Sequence, residues 1–264
     1  MSLPRIAFAL VLAVAIVGSA GRAALAGAFE VAPTTVNLSA KARTAVVRIT
    51  NRGAQAVTIR VRPYDWRQSG DKDALTPSTV LVASPLMARL APGGRQVVRL
   101  RELGPALEPG EQAHRLLVSE VESGNAAGAG EVRMLLQFSL PVFGPARAPG
   151  SGGLSWDARV AGGQLILTAA NAGSRHIKLV KLAVTSDGAP GQRQVAAMVY
   201  VLAGASRHWR VPLRGLSPAA GLMLRAEDGA TGEPLAWRLK VRRWGEAAAG
   251  EDPSETSGAE ASVR

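Results

Sequence analysis

The chain has 264 residues, 47% of them hydrophobic, no cysteine and a formal net charge of +11. That apolar share supports packed cores and excludes disorder along the whole length, and the missing cysteines exclude disulfide scaffolds, thiolate zinc sites and cysteine nucleophiles. With three histidines, His114, His176 and His208, a multi-histidine metal centre requires all of them to converge, so neither a metal nor a cofactor is expected.

Residues 1–26 have the layout of a secretory signal: Arg5, an apolar stretch from Ala7 to Val17, and the small-x-small pattern Ala24-Leu25-Ala26 before Gly27. The apolar stretch is too short for a stable anchor, which needs about 20 residues. The expectation is export, to the periplasm in a bacterium, with no membrane insertion once the leader is removed. Without Arg5 and Arg22 the charge is about +9, and the arginines are scattered through strand-like segments rather than forming a run of five or more. Aromatic residues make up only 4%, too few for base-stacking platforms. A nucleic-acid partner is not expected.

After the leader, alternation with turns between dominates. Ala45, Val47 and Ile49 share one face before the turn at Asn51-Arg52-Gly53, and Val57, Ile59 and Val61 alternate with Thr58, Arg60 and Arg62. A turn at Ala91-Pro92-Gly93-Gly94 joins Leu86–Leu90 to Gln96–Arg101, and Arg115–Val121 is another strand, followed by a small-residue loop from Glu122 to Gly130. About seven strands in about 120 residues describe an immunoglobulin-like sandwich. Pro145–Gly153 is a linker. Beyond it strands are expected at Gln164–Ala170, His176–Val184, Arg193–Leu202, His208–Leu213 and Leu235–Arg242. The reading is all-β, two immunoglobulin-like sandwiches in an L or boomerang, with a cleft between them. The parts are a signal peptide at 1–26, a first domain at 27–145, a second at 150–245 and an acidic, non-periodic tail at 246–264.

Glu131–Phe143 is unusual. Val132, Met134, Leu136, Phe138, Leu140 and Val142 form an unbroken apolar row on alternate positions, opposite a mixed row that includes Pro141. As one strand it reaches some 40 Å at about 3.3 Å per residue. A proline within it points to a sheet edge, because proline donates no ladder hydrogen bond. Such an edge either covers its own core or pairs with another chain.

Five segments carry a resemblance: Phe29–Thr34, Ala83–Leu100, Glu111–Val121, Leu136–Phe143 and Tyr200–Trp209. In this order and spacing the chain resembles the periplasmic pilus-assembly chaperones of the chaperone–usher pathway, and its Ser-Leu-Pro-Val-Phe run is similar to the archaic, spore-coat-U-type branch. The resemblance implies donor-strand complementation, in which an edge strand completes a pilus subunit that lacks its last strand before delivery to an outer-membrane usher. It implies Val132, Met134, Leu136, Phe138 and Leu140 as the donor row. The family's two basic residues for the subunit's terminal carboxylate fall at about Thr35 and at Ser139 or Leu140, none of them basic. Arg115 is the expected substitute anchor, with Arg89 and Arg99 as weaker candidates.

No enzymatic constellation is present: neither Gly-x-Ser-x-Gly nor His-Glu-x-x-His occurs, and Gly128-Ala129-Gly130 leads into no dinucleotide fingerprint. His176 and His208 are read as strand decoration. Trp66, Trp156, Trp209, Trp237 and Trp244 are read as core or hinge packing, or as the platform of the alternative, an exported adhesin-like or carbohydrate-binding module.

Overall fold

The computed structural model describes residues 29–103, 110–122, 134–146, 153–186 and 192–243. The first lobe comprises β1 (Phe29–Ala32), β2 (Val36–Asn37), β3 (Thr44–Asn51), β4 (Val57–Ser69), β5 (Lys72–Pro77), β6 (Leu81–Ser84), β7 (Met87–Leu90), β8 (Arg95–Glu102), β9 (Ala113–Val121) and β10 (Gln137–Phe143). One sheet has the order β1-β3-β8-β6 and the other β2-β10-β9-β4-β5, with β7 also on β4. Ten strands replace the expected seven because the chain changes sheet between β1 and β2, and β4 is long enough to pair β7 near one end and β5 near the other.

The second lobe comprises β11 (Leu154–Ala161), β12 (Gln164–Asn171), β13 (Ile177–Ser186), β14 (Gln192–Val201), β15 (Ser206–Pro212), β16 (Leu222–Asp228), β17 (Pro234–Leu239) and β18 (Val241–Arg243), with a single 3-10 turn at Pro218–Ala220. Its sheets run β15-β12-β11-β18 and β14-β13-β16-β17. The segment expected as one strand, Leu235–Arg242, is two, since the chain crosses at Lys240 from β16 in one sheet to β11 in the other. Both lobes are immunoglobulin-like sandwiches.

Alternation explains each core. Val47 and Ile49 of β3, Val98 and Leu100 of β8, Ile59 and Val61 of β4, and Leu116 and Val118 of β9 all point inward and are 0–1% exposed. Outward neighbours of the same strands are mostly arginines and other polar residues, with exposed Val46 and Val97 among them. A short motif recurs in the two lobes. Asn51 and Asn171 are each 2% exposed, and each donates its side-chain amide to backbone carbonyls across a loop: Asn51 to Gln55, Leu90 and Ala91, Asn171 to Arg175 and Val201. Each also accepts from a glycine amide two residues on, Gly53 or Gly173. The Asn-x-Gly spacing thus pins the end of the same strand in both sandwiches, satisfying carbonyls that burial would otherwise strand.

The lobes are fastened together. Trp66, Phe143, Tyr200 and Leu202 form an apolar cluster separate from either core. Around it Gln68 donates to the Tyr200 carbonyl at 3.0 Å and accepts from the Leu202 amide at 2.9 Å. Arg207 pairs with Asp73 at 2.7 Å, and Glu111 takes both the backbone amide and ring Nδ1 of His176 at 2.7 and 2.6 Å. A cavity of about 1000 Å3 remains between the lobes.

Leu116 has 0% exposure at the centre of the first core. Leu116→Ala is expected to lower stability by about 2–5 kcal/mol, read as a lower urea midpoint; a change below about 0.5 kcal/mol would contradict this packing.

Candidate functional site

The site grows from one strand. In the β9–β10 ladder the Glu120 amide donates to the Leu136 carbonyl at 2.9 Å, and the antiparallel register pairs Phe138 with Val118 and Leu140 with Leu116. Hydrogen-bonded pairs alternate along such a ladder. Residues 136, 138, 140 and 142 therefore bond to β9, while the backbones of Gln137, Ser139, Pro141 and Phe143 face the other way. On that far side β2 pairs only Val142 and Phe143, and the Leu38 amide reaches the Phe143 carbonyl at 2.8 Å. Among the described residues, no strand covers the rim from Gln137 to Pro141. Pro141 fits here because its missing N–H would point into this open rim, so the ladder loses nothing.

The apolar row follows the same strand out of the core. Val142 and Leu140 are 0% and 4% exposed, within the lobe's own core cluster. Phe138 is 37% exposed, its ring edge-on to Phe29 of β1 at 5.0 Å. Leu136 is half-buried against the core, and Met134 is 72% exposed. Leu140 was expected in the donor row and is corrected here: it is sealed inside its own sandwich and has no apolar area to offer. The expected strand from Glu131 is shorter as well, its ladder running from Gln137 to Phe143; Val132 lies outside the described residues.

The strand's inner end is held by buried polar groups. His114, opposite Val142, sits with its Nδ1 2.9 Å from Asp65 and its Nε2 3.6 Å from Glu102, which pairs with Arg43 at 3.5 Å. His114 and Glu102 are 2% and 4% exposed. Gly144 follows the strand, and a glycine is needed there because a Cβ would lie 2.5 Å from the Glu102 carboxylate. Phe143 is stacked on the His176 ring at 3.5 Å. The bend is thus built on the last residue of β10, joined to Glu111 through His176. Sequence reasoning missed this, since Glu111 and His176 are 65 residues apart and nothing in their spacing marks them as partners.

Arg115 stands opposite Pro141 and Tyr64 in neighbouring strands. Thr35, one residue before Val36 in the parallel β2 pairing, falls in the same cross-strand row. The Arg115 guanidinium lies over Trp66 at 3.7 Å and 5.7 Å from the Tyr200 ring of the second lobe. Burial pulls its pKa below the ordinary value, against the opposing influence of Asp73 and Tyr200; an arginine remains charged regardless. Among the described residues it forms no ion pair, so a half-buried cation faces the region between the lobes with Asp73 acting on it only at longer range. Arg89 is exposed on β7 opposite Thr58, some 20 Å along the sheet from Arg115 at about 3.3 Å per residue. Arg99 is exposed on β8 in the other sheet. Neither is brought to the cleft.

Trp156 lies 5.7 Å from Trp209 and 5.5 Å from Trp237, all three packed against the second core rather than spread as a flat platform. Among the described residues no group of His, Asp and Glu is arranged to hold a metal ion.

No curated protein matches the sequence. Solved structures of similar fold include the CsuC–CsuE chaperone–tip adhesion subunit complex from archaic chaperone–usher Csu pili of Acinetobacter baumannii. That likeness is 21% identical, covers 81% of this chain and 99% of the matched chain, and has a TM-score of 0.65. The Salmonella enterica SafA pilin–SafB chaperone complex follows at 17% identity, 81% and 97% coverage and TM-score 0.59. The Pseudomonas aeruginosa CupB2 chaperone stands at 16% identity, 79% and 98% coverage and TM-score 0.54. Residues 28–146 match the family model described as pili and flagellar-assembly chaperone, PapD N-terminal domain. That match spans the whole lobe that carries the open rim, so this lobe belongs to the pili and flagellar-assembly chaperones, a family of assembly factors rather than of enzymes.

Proposed function

We propose that this chaperone captures pilus subunits by donor-strand complementation along the open rim of β10. The observation that carries the reading is one apolar row that leaves its own core, Leu140 being 4% exposed, Phe138 37% and Met134 72%, with Leu136 between the last two half-buried. A row anchored in one core and projecting past its edge is shaped to finish another core. Phe138, Leu136 and Met134 are the inserted side chains, with Val132 continuing the row by sequence. Each fully buried side chain of this size contributes about 1.5–3 kcal/mol before ordering costs. The free backbone groups of Gln137 and Ser139 add hydrogen bonds that make no demand on the guest's sequence. That permits one chaperone to serve several subunits.

Arg115 takes the subunit's terminal carboxylate. It shares a cross-strand row with Thr35, where the resemblance puts a basic anchor that this chain lacks, and it has no carboxylate of its own. A planar guanidinium resting on Trp66 leaves its donors free for a forked, charge-assisted contact. The Ser-Leu-Pro-Val-Phe run at 139–143, together with the likeness to the archaic Csu complex, supports the archaic branch. Export to the periplasm through the 1–26 leader, which lies outside the described residues, and hand-over to an outer-membrane usher complete the proposal.

Two measurements test it, each made by refolding a pilus subunit with the chaperone and isolating the complex by size exclusion. Leu136→Glu with Phe138→Glu is expected to weaken capture at least about 100-fold, since losing two inserted side chains removes about 3 kcal/mol or more; undiminished capture would refute the donor role. Arg115→Ala is expected to weaken capture about 10- to 100-fold, the worth of a bond to a charged group, while leaving a subunit truncated at its terminus bound as before. Equal affinity of wild type and Arg115→Ala for the intact subunit would remove Arg115 from the site.

A further inference from the structure

The outward face of the sheet that carries the donor strand is a line of arginines. Strand parity sets it: with Val57, Ile59 and Val61 inward, β4 turns Thr58, Arg60, Arg62 and Tyr64 outward. With Leu116 and Val118 inward, β9 turns out Arg115, Leu117 and Ser119. Register then places Arg89 beside Thr58, Met87 and Ser119 beside Arg60, Leu117 beside Arg62, and Arg115 beside Tyr64. Successive rows are two residues apart, so Arg89, Arg60, Arg62 and Arg115 occupy four consecutive rows over about 20 Å at roughly 3.3 Å per residue. The outward residues that β10 adds, Gln137, Ser139 and Pro141, are neutral. No carboxylate stands among these outward residues, and among the described residues none of the four arginines forms an ion pair. Arg62 and Arg115 rest instead on Tyr64 and Trp66.

The same chain carries a complementary segment. Residues 246–264 hold Glu246, Glu251, Asp252, Glu255 and Glu260 against one cation, Arg264. From Arg243, the last described residue of β18, to Glu260 the chain can extend about 55 Å at roughly 3.3 Å per residue, farther than the whole length of β4. The opposite sheet also presents arginines, Arg48, Arg95, Arg99 and Arg101, with exposed Val46, Val82 and Val97 among them, as Met87 stands beside Arg60. The β4–β9 row differs in ending on a half-buried cation that forms no direct ion pair among the described residues, 5.7 Å from the Tyr200 ring of the lobe that bears the tail. Desolvated, unpaired charge gains most from an incoming carboxylate.

We propose that the acidic segment 246–264 docks on the Arg89–Arg60–Arg62–Arg115 row of its own chain. Tethering holds it at an effective concentration on the order of millimolar, so weak contacts suffice for occupancy and an incoming partner displaces it readily. The consequence for capture, which rests on the donor-strand reading, is competition at Arg115. An unspecific anion must displace the tail with charge alone, whereas a subunit also brings a groove for Phe138 and Leu136.

The chain has no cysteine, so S254C gives a unique attachment point between Asp252 and Glu255 for a nitroxide spin label on the full chain. Amide signals in the isotope-labelled protein are then compared with the label oxidised and reduced. At about 10 mM salt, where the Debye length is roughly 30 Å, signals of Arg60, Arg62, Leu117 and Ser119 are expected to broaden strongly. The broadening disappears at about 1 M salt, where that length falls to roughly 3 Å, and in the R60E/R62E variant, whose unchanged core signals report an intact fold. Four results would overturn the proposal: no broadening at low salt, broadening centred on β3 and β8, broadening that survives R60E/R62E, or broadening seen only between differently labelled molecules. None of these bears on the donor strand, which the Leu136→Glu, Phe138→Glu variant tests separately.

Discussion

One constraint organises this molecule: a strand cannot satisfy both of its edges and still lend one away. β10 uses its even-numbered backbone groups for β9 and leaves those of Gln137 and Ser139 unpaired, because β2 reaches only Val142 and Phe143. The parity that frees those groups also aims the even-numbered side chains at the interior, so the apolar row and the open rim arise together. Phe29, the first described residue of β1, covers Phe138 only in part; farther out Met134 is exposed, while Leu136 between them stays half-buried against the core. An open apolar edge is ordinarily an aggregation hazard. Here it is short, closed at the inner end, and shielded in part by the Phe29 ring.

The rest of the structure holds that edge at a fixed place. Phe143 ends β10 and belongs to the interlobe cluster with Trp66, Tyr200 and Leu202, so β10 is rooted in the bend itself. Gln68, Asp73 and Glu111 of the first lobe each engage the second through hydrogen bonds or an ion pair. A guest carboxylate at Arg115 would therefore stand at a defined distance from the first inserted side chain. That distance is what would make one register of the guest strand preferable, since a slip of one residue turns every side chain to the wrong face.

Much of this was legible in the sequence. The alternation at Ala45–Ile49, Val57–Arg62 and Gln96–Arg101 specified strands, and the Glu131–Phe143 row marked the edge, because period-two patterns are local. Length and termination were not local. Glu102, buried 42 positions before Gly144, demands a glycine just past β10, and no pattern near Phe143 announces it. Leu140 shows the same limit: alternation groups it with Phe138, and only the extent of the facing sheet separates a sealed residue from an available one. The pairs Glu111–His176 and Gln68–Tyr200 depend on how two independently folded lobes meet, which no periodicity encodes. Arg115 stood out only by its place in the strand opposite β10; its stacking on Trp66 is a product of two neighbouring strands, β9 and β4.

The availability of the rim is tested most directly by amide hydrogen exchange along β10, residue by residue, with and without a bound pilus subunit. In the free chaperone the amides of Phe138 and Leu140, bonded to β9, should exchange slowly, while those of Gln137 and Ser139 should exchange quickly. On capture, the slow pair should remain slow and the fast pair should become protected. Protection of Gln137 and Ser139 in the free protein, or their continued rapid exchange in the complex, would contradict the account.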